Sequence, residues 1–546
     1  MHQLILQYSA LLFVILFIVM LADKIKMASP ILLVIAGLPL GFIPALHDIH
    51  IDPELIFVIF LPPLLYEAAW NTSWKDLWKW RRIVSSFAIL IVIVTSCVIA
   101  FAANGIIPGF TLAIGFLLGG IISPPDAVAA SNVLKNIKVP KRFISIVEGE
   151  SLLNDATSLV IFRFALAAVT TGQFVFREAA LNFVLVIVLG IVIGLGVAAI
   201  FYVIHRWMPT TTNIDIILTF IAPYAMYMAA EAFHFSGVLA VVSGGLYLSA
   251  RRQSMLSHRS RLQGINVWQA VAFVLNNFVF ILIGLEFPIV IKSLGAQGLL
   301  PAIKYSLIIT AILIITRLAS TYGALFWTMF ISRFIKVADA SPGWKAPLLL
   351  GWTGMRGVVS LAAALSIPVA LQNGSAFPQR NLILFITFTV IVVTLVLQGL
   401  TLPALVKWVN MIDPDYTVPP YKQHQLIRKK LTAASLQLLN EKYGPQTSQN
   451  LKVKTFYERL SADISLLNDH IQNEDRPAQN RQASEFQEIM MDVLKVQRTL
   501  LLTLNKKEGI HDDIIRQQFE LLDLEEEKIR RSLSAASNDG FTLAES

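Results

Sequence analysis

Long apolar runs alternate with short polar segments over the first three quarters of the chain. Each run reaches or approaches the roughly twenty residues that a helix needs to cross a bilayer. The pattern therefore predicts an all-α membrane protein with about thirteen spanning helices, of which the second and ninth are short. The runs lie at about 4–22, 30–46, 53–70, 83–103, 111–133, 143–168, 180–204, 214–232, 236–250, 266–286, 303–330, 346–371 and 381–403.

Composition supports this interpretation. The 546 residues are 55% hydrophobic and only 15% charged, with a mean hydropathy of +0.64. Such values are unusual for a soluble globular protein and typical of a membrane protein. The first run has neither a basic segment before it nor a small-residue cleavage site after it, so we expect it to be a retained span.

The basic residues predict the orientation. Loops after odd-numbered runs carry most Lys and Arg of this region, whereas the other loops hold Arg177, Lys292, Lys304 and Arg380. By the positive-inside rule, the N-terminus lies outside the cell membrane and the C-terminus in the cytoplasm. The net charge of +8 is therefore mainly a topology signal, and we do not expect nucleic-acid binding.

The composition changes near residues 405–422, where "DPDYTVPPY" cannot continue a helix. Beyond it, apolar residues recur at helical spacing within polar sequence. We therefore expect a transmembrane domain over 1–405, a linker over 406–422 and a helical cytoplasmic tail over 423–546. A solvated extension without chemistry is the simplest interpretation of this tail, and a coiled-coil-like arm is the alternative.

Two of the apolar runs are interrupted in mid-membrane. The fifth contains "GGIISPPDAVAAS", with Pro124 and Pro125, and the twelfth contains "GWTGMRGVVS", with three glycines around Arg356. Each is the fifth element of a six-run unit, runs 1–6 and 8–13, and the two units have opposite topology. Broken helices at matching positions of inverted repeats point to the binding site of a secondary transporter.

Several ionisable residues lie away from the ends of the apolar runs. A charge in the hydrocarbon region is costly, so such a residue is a functional candidate by default. Acids and bases are nearly balanced in number, which suggests that they pair in a core. The residues are Asp126, Glu148, Glu150, Asp155, Arg163, Arg317 and Arg356.

The interrupted helices offer partners for two of these charges, because a helix break exposes N–H groups on one side and carbonyls on the other. Arg356 is best explained as a partner of facing carbonyl ends. Asp126 is either a partner of a half-helix N-terminus or part of an ion pathway. Arg317 could pair with Glu150 or with Asp126, and we interpret Arg163 as a structural partner.

The sixth run, "FISIVEGESLLNDATSLVIF", carries Asp155 near its middle. On a helix, Glu148 lies about 20° and Ser151 about 40° from Asp155. Glu150 and Asn154 share a neighbouring face. Oxygen ligands of this kind suit hard cations.

Burial favours the protonated form of a carboxyl group, so Asp155 could hold a proton or a small cation in competition. Glu148 and Glu150 lie near the cytoplasmic end of the run, where they could instead be hydrated. They could also pair with Arg142 or Lys141. Glu67, after Pro62 and Pro63, could belong to a funnel or a structural pair.

The cysteine and histidine content does not support a disulfide framework or a metal site. The single cysteine, Cys97, lies within an apolar run, so neither a disulfide framework nor a thiolate metal site is expected. The nine histidines do not recur at metal-ligand spacing, and we interpret them as surface residues. No cofactor is predicted.

The motif "GESLLND", Gly149–Asp155, resembles the sodium/proton exchanger branch of the cation:proton antiporters, which includes NhaP-type bacterial proteins and animal and plant exchangers. Supporting motifs are "FLPPLLYEAA", "SPPDAVAA", "GMRGVVSLAAAL" and "LQGLTLP". The resemblance covers about residues 1–405 and does not extend to the tail.

The resemblance implies a thirteen-span fold like that of NhaA and NhaP, a homodimer in the lipid membrane, and elevator-type movement. It implies that Asp155 binds Na⁺ or H⁺, and that Asn154 marks electroneutral exchange. Residues implied near the ion are Ser151, Glu150 and Asp126, with Na⁺ held by Asp155, Ser151 and Asp126; the implied charge partners are Arg317, Arg356 and Glu148. In one departure, many relatives place a Thr or Val before the Asp at the fifth-run break, whereas this chain has Pro125, which offers no hydroxyl ligand.

The sequence thus predicts a secondary transporter, and not an enzyme, that exchanges Na⁺, or K⁺ or Li⁺, for H⁺. One alternative is a cation channel that uses the same acids, although two broken helices around a midplane site favour alternating access. Another is an intramembrane enzyme with Asp126 and Asp155 as paired carboxylates, although neither lies in a motif typical of that chemistry.

Overall fold

The computed structural model describes residues 2–43, 56–134, 139–172, 176–334, 343–371, 374–410, 420–472, 476–504 and 512–537. The chain divides into two compact units, Met1–Asp413 and Pro414–Ser546. The described residues of both units are almost entirely helical, so the predicted all-α class is confirmed.

Sixteen α-helices make up the described part of the first unit, and three short π-helical segments, Ile56–Phe60, Ser86–Ile91 and Thr394–Gln398, join some of them. The α-helices are α1 His2–Lys24, α2 Ser29–Leu40, α3 Leu61–Asn71, α4 Trp74–Ser85, α5 Val92–Ile106, α6 Leu112–Ile122, α7 Ala127–Leu134, α8 Lys141–Thr171, α9 Phe176–Trp207, α10 Thr212–Glu231, α11 Gly237–Met255, α12 His258–Ile331, α13 Lys345–Trp352, α14 Val358–Leu365, α15 Arg380–Val393 and α16 Gly399–Val409.

Every predicted apolar run falls on one or more of these helices. Among the described residues, nine helical segments are long and apolar enough to cross a membrane, and α2 is a shorter apolar helix. The runs predicted at 266–286 and 303–330 lie within α12, a single helical stretch of 74 residues that contains Pro288 and Pro301. The number of spans, thirteen, therefore stays a prediction.

Small residues let neighbouring helices approach closely. A Cβ atom added to Gly37 of α2 would lie 2.7 Å from the carbonyl oxygen of Ile281 and 2.9 Å from Cα of Gly284 in α12. Such contacts between backbones stabilise helix pairs where the surrounding lipid supplies no hydrophobic driving force.

The described residues of the second unit form four helices, as the helical spacing of its apolar residues predicts. Within the first of them, Tyr443 has non-helical backbone angles, φ −122° and ψ 21°, directly before Gly444, and the helix then resumes. Of the predicted linker 406–422, α16 covers the start and residues 411–419 lie outside the described residues. The helices are α17 Pro420–Gln449, α18 Leu451–Gln472, α19 Arg476–Leu504 and α20 Asp512–Ser537.

Candidate functional site

The fifth apolar run forms two half-helices, α6 and α7, with a break at residues 123–126. Pro124 and Pro125 cannot donate backbone hydrogen bonds, which explains why the helix stops there. The backbone N–H of Ser123 still bonds to the carbonyl of Gly119, so the first carbonyls left without helical partners lie at the end of α6.

The twelfth run is broken in the same way, between α13 and α14. The two breaks meet, because the backbone N–H of Asp126 donates to the carbonyl of Met355 at 2.7 Å. Gly357 lies against Asp126 so closely that a Cβ atom there would overlap the Asp126 carboxylate. The structure thus has two broken helices in contact at their interruptions, as the sequence predicts.

Arg356 lies fully buried at this contact. Its Nε donates to the carbonyl of Ile122 at 2.8 Å and its Nη2 to that of Ser123 at 3.2 Å, while Nη1 donates to the carbonyl of Gly354. The guanidinium therefore covers carbonyls at the end of α6 and within the second break. This is the arrangement expected for a cation that compensates the negative ends of half-helices.

Asp126 lies at the start of α7. Its Oδ1 accepts from the backbone N–H of Val128 at 2.8 Å, so the carboxylate faces the N-terminal end of that half-helix. The same side chain also lines a cavity. Both roles that the sequence leaves open for Asp126, dipole partner and member of an ion pathway, are therefore compatible with its position.

This cavity has a volume of about 330 Å³ and reaches the break of the first interrupted helix. Asp155, only 8% exposed, lines it from α8. Carboxylate, hydroxyl and amide groups line the same cavity, and their oxygens are the donor set that a hard monovalent cation needs. Polar lining residues are Glu67, Asn71, Asp126, Ser131, Asn132, Glu148, Ser151, Asp155, Asn276 and Ser360.

Hydrogen bonds attach α8 to the first break. Ser158 Oγ donates to the carbonyl of Gly120 at 2.6 Å, and Asn154 Nδ2 donates to that of Pro125 at 2.8 Å. The Oγ of Ser151 accepts from the backbone N–H of Ala127 at 3.1 Å. These bonds fix Asp155 relative to Asp126, because Asp155 follows Asn154 and Asp126 lies between Pro125 and Ala127.

Asn154 has a second polar atom without a partner. Its Oδ1 is buried and makes no hydrogen bond with the described residues. The side chain is not among the described residues that line the cavity. Asn154 therefore donates a hydrogen bond to the backbone carbonyl of Pro125. Pro125 is the residue that offers no side-chain hydroxyl.

Glu150 and Arg317 form a fork-to-fork ion pair. Arg317 Nη1 donates to Glu150 Oε1 at 2.5 Å and Nη2 to Oε2 at 2.7 Å, and both side chains are 2% exposed. Of the two partners that the sequence allows for Arg317, the structure places Glu150 beside it. Both oxygens of Glu150 are engaged, and this residue is not among those that line the cavity.

Glu148 does line the cavity, as does Glu67 of α3. Glu67 Oε1 accepts from Nδ2 of Asn71 at 2.6 Å. The sequence leaves Glu67 as a funnel residue or a structural pair, and its position in the cavity wall is the former arrangement. Glu148, expected as a charge partner, lies with a second acid and away from Arg317.

Sequence reasoning missed several polar lining residues. Ser131 and Asn132 belong to α7, and Asn276 belongs to α12. Their signal was weak but present, since each is a polar residue within an apolar run. An uncharged side chain is much less costly in a membrane than a charged one, so its presence in an apolar run does not by itself indicate a functional site.

Two other polar groups lie away from the cavity. Arg163 pairs with Glu231 of α10, with Nη2 at 2.7 Å from Oε1, as a structural partner would. His205 is buried and its Nδ1 lies 2.9 Å from Oδ1 of Asp215. The prediction that the histidines are surface residues is therefore wrong for His205, because an acid at the start of α10 reaches it inside the fold.

Comparisons with known proteins agree with this architecture. The family model described as sodium/hydrogen exchanger, transmembrane, matches residues 10–408. A sodium, potassium, lithium and rubidium/H⁺ antiporter of Bacillus pumilus is 34% identical over 421 residues, which are 76% of this chain and 62% of that protein. This chain thus aligns with less than two thirds of that relative's length.

Further relatives are covered more completely. A Na⁺/H⁺ antiporter of Aphanothece halophytica is 35% identical over 389 residues, 70% of each chain. An uncharacterized Na⁺/H⁺ exchanger of Mycobacterium bovis is 30% identical over 514 residues, 93% of this chain and 92% of that one.

The solved structure of a sodium proton antiporter from Methanocaldococcus jannaschii, at pH 8, superposes with a TM-score of 0.57. It shares 18% identity and covers 75% of this chain and 100% of its own, and at this identity the likeness concerns the fold alone. The family match, by contrast, extends over the whole helical region that holds the two broken helices and Asp155. This chain therefore belongs to the sodium/hydrogen exchanger family of membrane transporters.

Proposed function

We propose that the protein exchanges a monovalent cation for a proton across the cell membrane by alternating access. Na⁺ is the expected cation, and K⁺ or Li⁺ is the alternative, in keeping with the cations for which the Bacillus pumilus antiporter is named. The observation that carries the proposal is the cavity in which Asp155 and Asp126 meet the break of an interrupted helix.

The mechanism follows from competition at Asp155. A desolvated carboxylate is costly unless its charge is neutralised, by a proton or by a bound cation. Ser151 and Asp126 line the same cavity and supply further oxygen ligands for the cation. Because only one guest neutralises Asp155 at a time, each conformational change carries either a cation one way or a proton the other way.

Electroneutral exchange is the stoichiometry that we propose. Asn154 is uncharged and donates to a backbone carbonyl, and Glu150 is paired with Arg317. Neither then adds a titrating charge to the transport cycle. The Asp155 site carries a similar net charge with either guest, which lowers the cost of its passage through a low-dielectric path.

We also propose an orientation and an oligomeric state for the protein. The N-terminus faces outward and the C-terminal tail lies in the cytoplasm, in accordance with the distribution of Lys and Arg. The protein works as a homodimer in the lipid membrane, as the resemblance implies. It is a transporter and not an enzyme, and its chemistry needs no cofactor.

Asp155→Asn tests the proposal directly. The variant cannot release a proton from its side chain, so we expect Na⁺-dependent collapse of an imposed pH gradient to be lost in proteoliposomes. Asp76→Asn, at the start of α4 and outside the cavity, is the control and should exchange normally. Retained, saturable exchange by Asp155→Asn would contradict the proposal, and an ohmic single-channel current would favour the channel.

A further inference from the structure

A second cavity, of about 380 Å³, lies at the ends of four helices. It is separate from the Asp155 cavity but adjoins it along α3, since Trp70 lines the former and Glu67 and Asn71 line the latter. Its volume suits a small ligand or the headgroup of a larger one. The residues that matter for its chemistry are Trp70, Asp215, Arg252, His258, Arg261 and Trp268.

Aromatic packing fixes one wall of this cavity. Trp268 is buried, and its ring lies 4.4 Å from that of Phe220, centroid to centroid, in a stacked arrangement. Its Nε1 donates to Thr219 Oγ1 at 3.0 Å. A wall held by packing and a hydrogen bond is formed before any ligand arrives, which lowers the entropic cost of binding.

The acid in the cavity wall already has partners. Asp215 is buried, with Oδ1 at 2.9 Å from His205 Nδ1, and its Oδ2 accepts from Ser260 Oγ at 2.6 Å. Both carboxylate oxygens therefore have partners, His205 and Ser260. They do not pair with the arginines that line the same space.

Arg252 and Arg261 line the cavity, and neither has an acidic partner among the residues that the structure describes. Arg261 is anchored through Nη1 to the carbonyls of Leu256 and Gln253, which are neutral acceptors. Within the described parts of the chain, neither Arg252 nor Arg261 forms an ion pair. His258, at the first position of α12, offers a further ring N–H donor.

We propose that this cavity binds a phosphate group, carried by an anionic lipid headgroup or by a soluble phosphate compound. Guanidinium groups match phosphate oxygens in charge and in bidentate geometry. The N-terminus of α12 adds a favourable dipole on the same side. The cavity thus combines two guanidinium groups against one hydrogen-bonded carboxylate, fork-shaped donors and a preformed wall.

The simpler explanation is that these arginines only mark the cytoplasmic ends of helices, as basic residues of membrane proteins often do. Arg251 provides the contrast. Its guanidinium lies over the ring of Tyr247, 4.0 Å from the centroid, and it is not among the residues that line the cavity. Arg251 and Arg252 carry the same charge at adjacent positions, but only Arg252 lines the cavity. Comparing their variants therefore distinguishes a specific site from a general effect of surface charge.

The test uses the full chain in nanodiscs and follows its thermal unfolding midpoint. In one arm the lipid is phosphatidylcholine and pyrophosphate is titrated at constant ionic strength. In the other arm the fraction of phosphatidylglycerol is varied without added phosphate. The variants are Arg252→Gln and Arg261→Lys, with Arg251→Gln as the control of matched charge. Binding is read without ion transport, so its outcome is independent of the proposed exchange activity.

We expect saturable stabilisation in at least one arm, and the responding arm identifies the source of the phosphate. Loss of a bidentate, charge-assisted contact should raise the half-saturation point about tenfold or more in Arg252→Gln. Arg261→Lys should weaken binding as well, since Lys keeps the charge and loses the fork. Arg251→Gln should match the wild type. The absence of saturable stabilisation in both arms, or an equal loss in Arg251→Gln and Arg252→Gln, would overturn the proposal.

Discussion

Glu150 and Asp155 lie on the same helix, five positions apart, yet their surroundings differ. Glu150 is held by both terminal nitrogens of Arg317, whereas Asp155 lines a cavity together with Asp126. A carboxylate that is fully used by a guanidinium is a fixed structural anion. A carboxylate that faces a cavity can exchange its partner, and this difference is why we propose the transport role for Asp155.

The Glu150–Arg317 pair gives a prediction about stability. Glu150→Gln leaves Arg317 buried without its carboxylate, and breaking such a pair costs about 3–5 kcal/mol of the free energy of unfolding. The double variant Glu150→Gln, Arg317→Gln should recover part of this loss, because no unpaired charge remains. Thermal unfolding in detergent checks both.

Asp492→Asn is the control for this experiment. Asp492 pairs with Lys495 in α19, where both side chains are more than 70% exposed. Solvent screening keeps such a pair to at most about 1 kcal/mol. If Glu150→Gln proved as mild as Asp492→Asn, the Glu150–Arg317 pair would not be the structural contact that we describe.

Gly357 gives a prediction about transport. A methyl group there would overlap the Asp126 carboxylate, so Gly357→Ala must displace Asp126 or separate the two breaks. A misplacement of about 1 Å at a functional centre can lower a rate by on the order of 100-fold, and we expect a loss of that size in proteoliposome exchange. Gly196→Ala, where a Cβ meets nothing within 4 Å, should exchange normally; equal rates for the two variants would contradict the crowding.

At the scale of elements, the two broken helices stabilise each other through backbone and side-chain contacts. The bond from the N–H of Asp126 to the carbonyl of Met355 joins the interruptions, and Arg356 covers carbonyls on both. A broken helix in hydrocarbon needs partners for its free N–H and carbonyl groups. Each interruption therefore depends on the other for its stability.

Arg356→Gln tests this mutual dependence. Glutamine has a single amide donor group and no charge, so some carbonyls that Arg356 covers lose their partner. Each buried polar group left unsatisfied costs about 1–3 kcal/mol, and we expect the unfolding midpoint to fall clearly and exchange to be lost. Arg251→Gln, which removes a partly exposed guanidinium over Tyr247, should leave both properties near the wild type. A stable, active Arg356→Gln would rule out this role.

At the scale of the whole molecule, exchange involves a balance of charge between two states of the membrane domain. Among the described residues, the buried charges other than Asp126 and Asp155 have protein partners. Arg317 pairs with Glu150, for example, and Arg356 donates to backbone carbonyls. In the proposed cycle, the moving site differs between its states only in the guest of Asp155. The electroneutrality that we propose then depends on all of these charges together and not on one residue.

We therefore predict that exchange moves no net charge. On a solid-supported membrane, a Na⁺ concentration jump should give no transport current, while a pH-sensitive dye in parallel liposomes reports proton movement. The reason is that one Na⁺ replaces one H⁺ at Asp155, so the work done against the membrane potential cancels. A steady current proportional to the dye signal would indicate unequal stoichiometry, with a second titrating group in the cycle.

The residues around the cavity differ in how far the sequence predicts their contacts. Helical periodicity indicated Ser151 as a neighbour of Asp155, the resemblance to the exchangers implied that Asp126 lies near them, and all three line the cavity. The sequence left Arg317 with two possible partners, since α12 and α8 are far apart in sequence. It also passed over Asn276 and Asn132, because uncharged side chains carry little signal against an apolar background.

By itself, the sequence determined the all-helical membrane class, the positions of the apolar runs, the two interruptions and the buried acid of the sixth run. These follow from hydrophobicity and local backbone chemistry, which depend on neighbouring residues alone. Only the tertiary structure decided that Glu150 belongs to Arg317, that Asn154 bonds to Pro125 and that His205 is buried with Asp215. Those outcomes depend on which distant helices meet, and burial makes each unpaired charge or polar group costly until a partner from another helix reaches it.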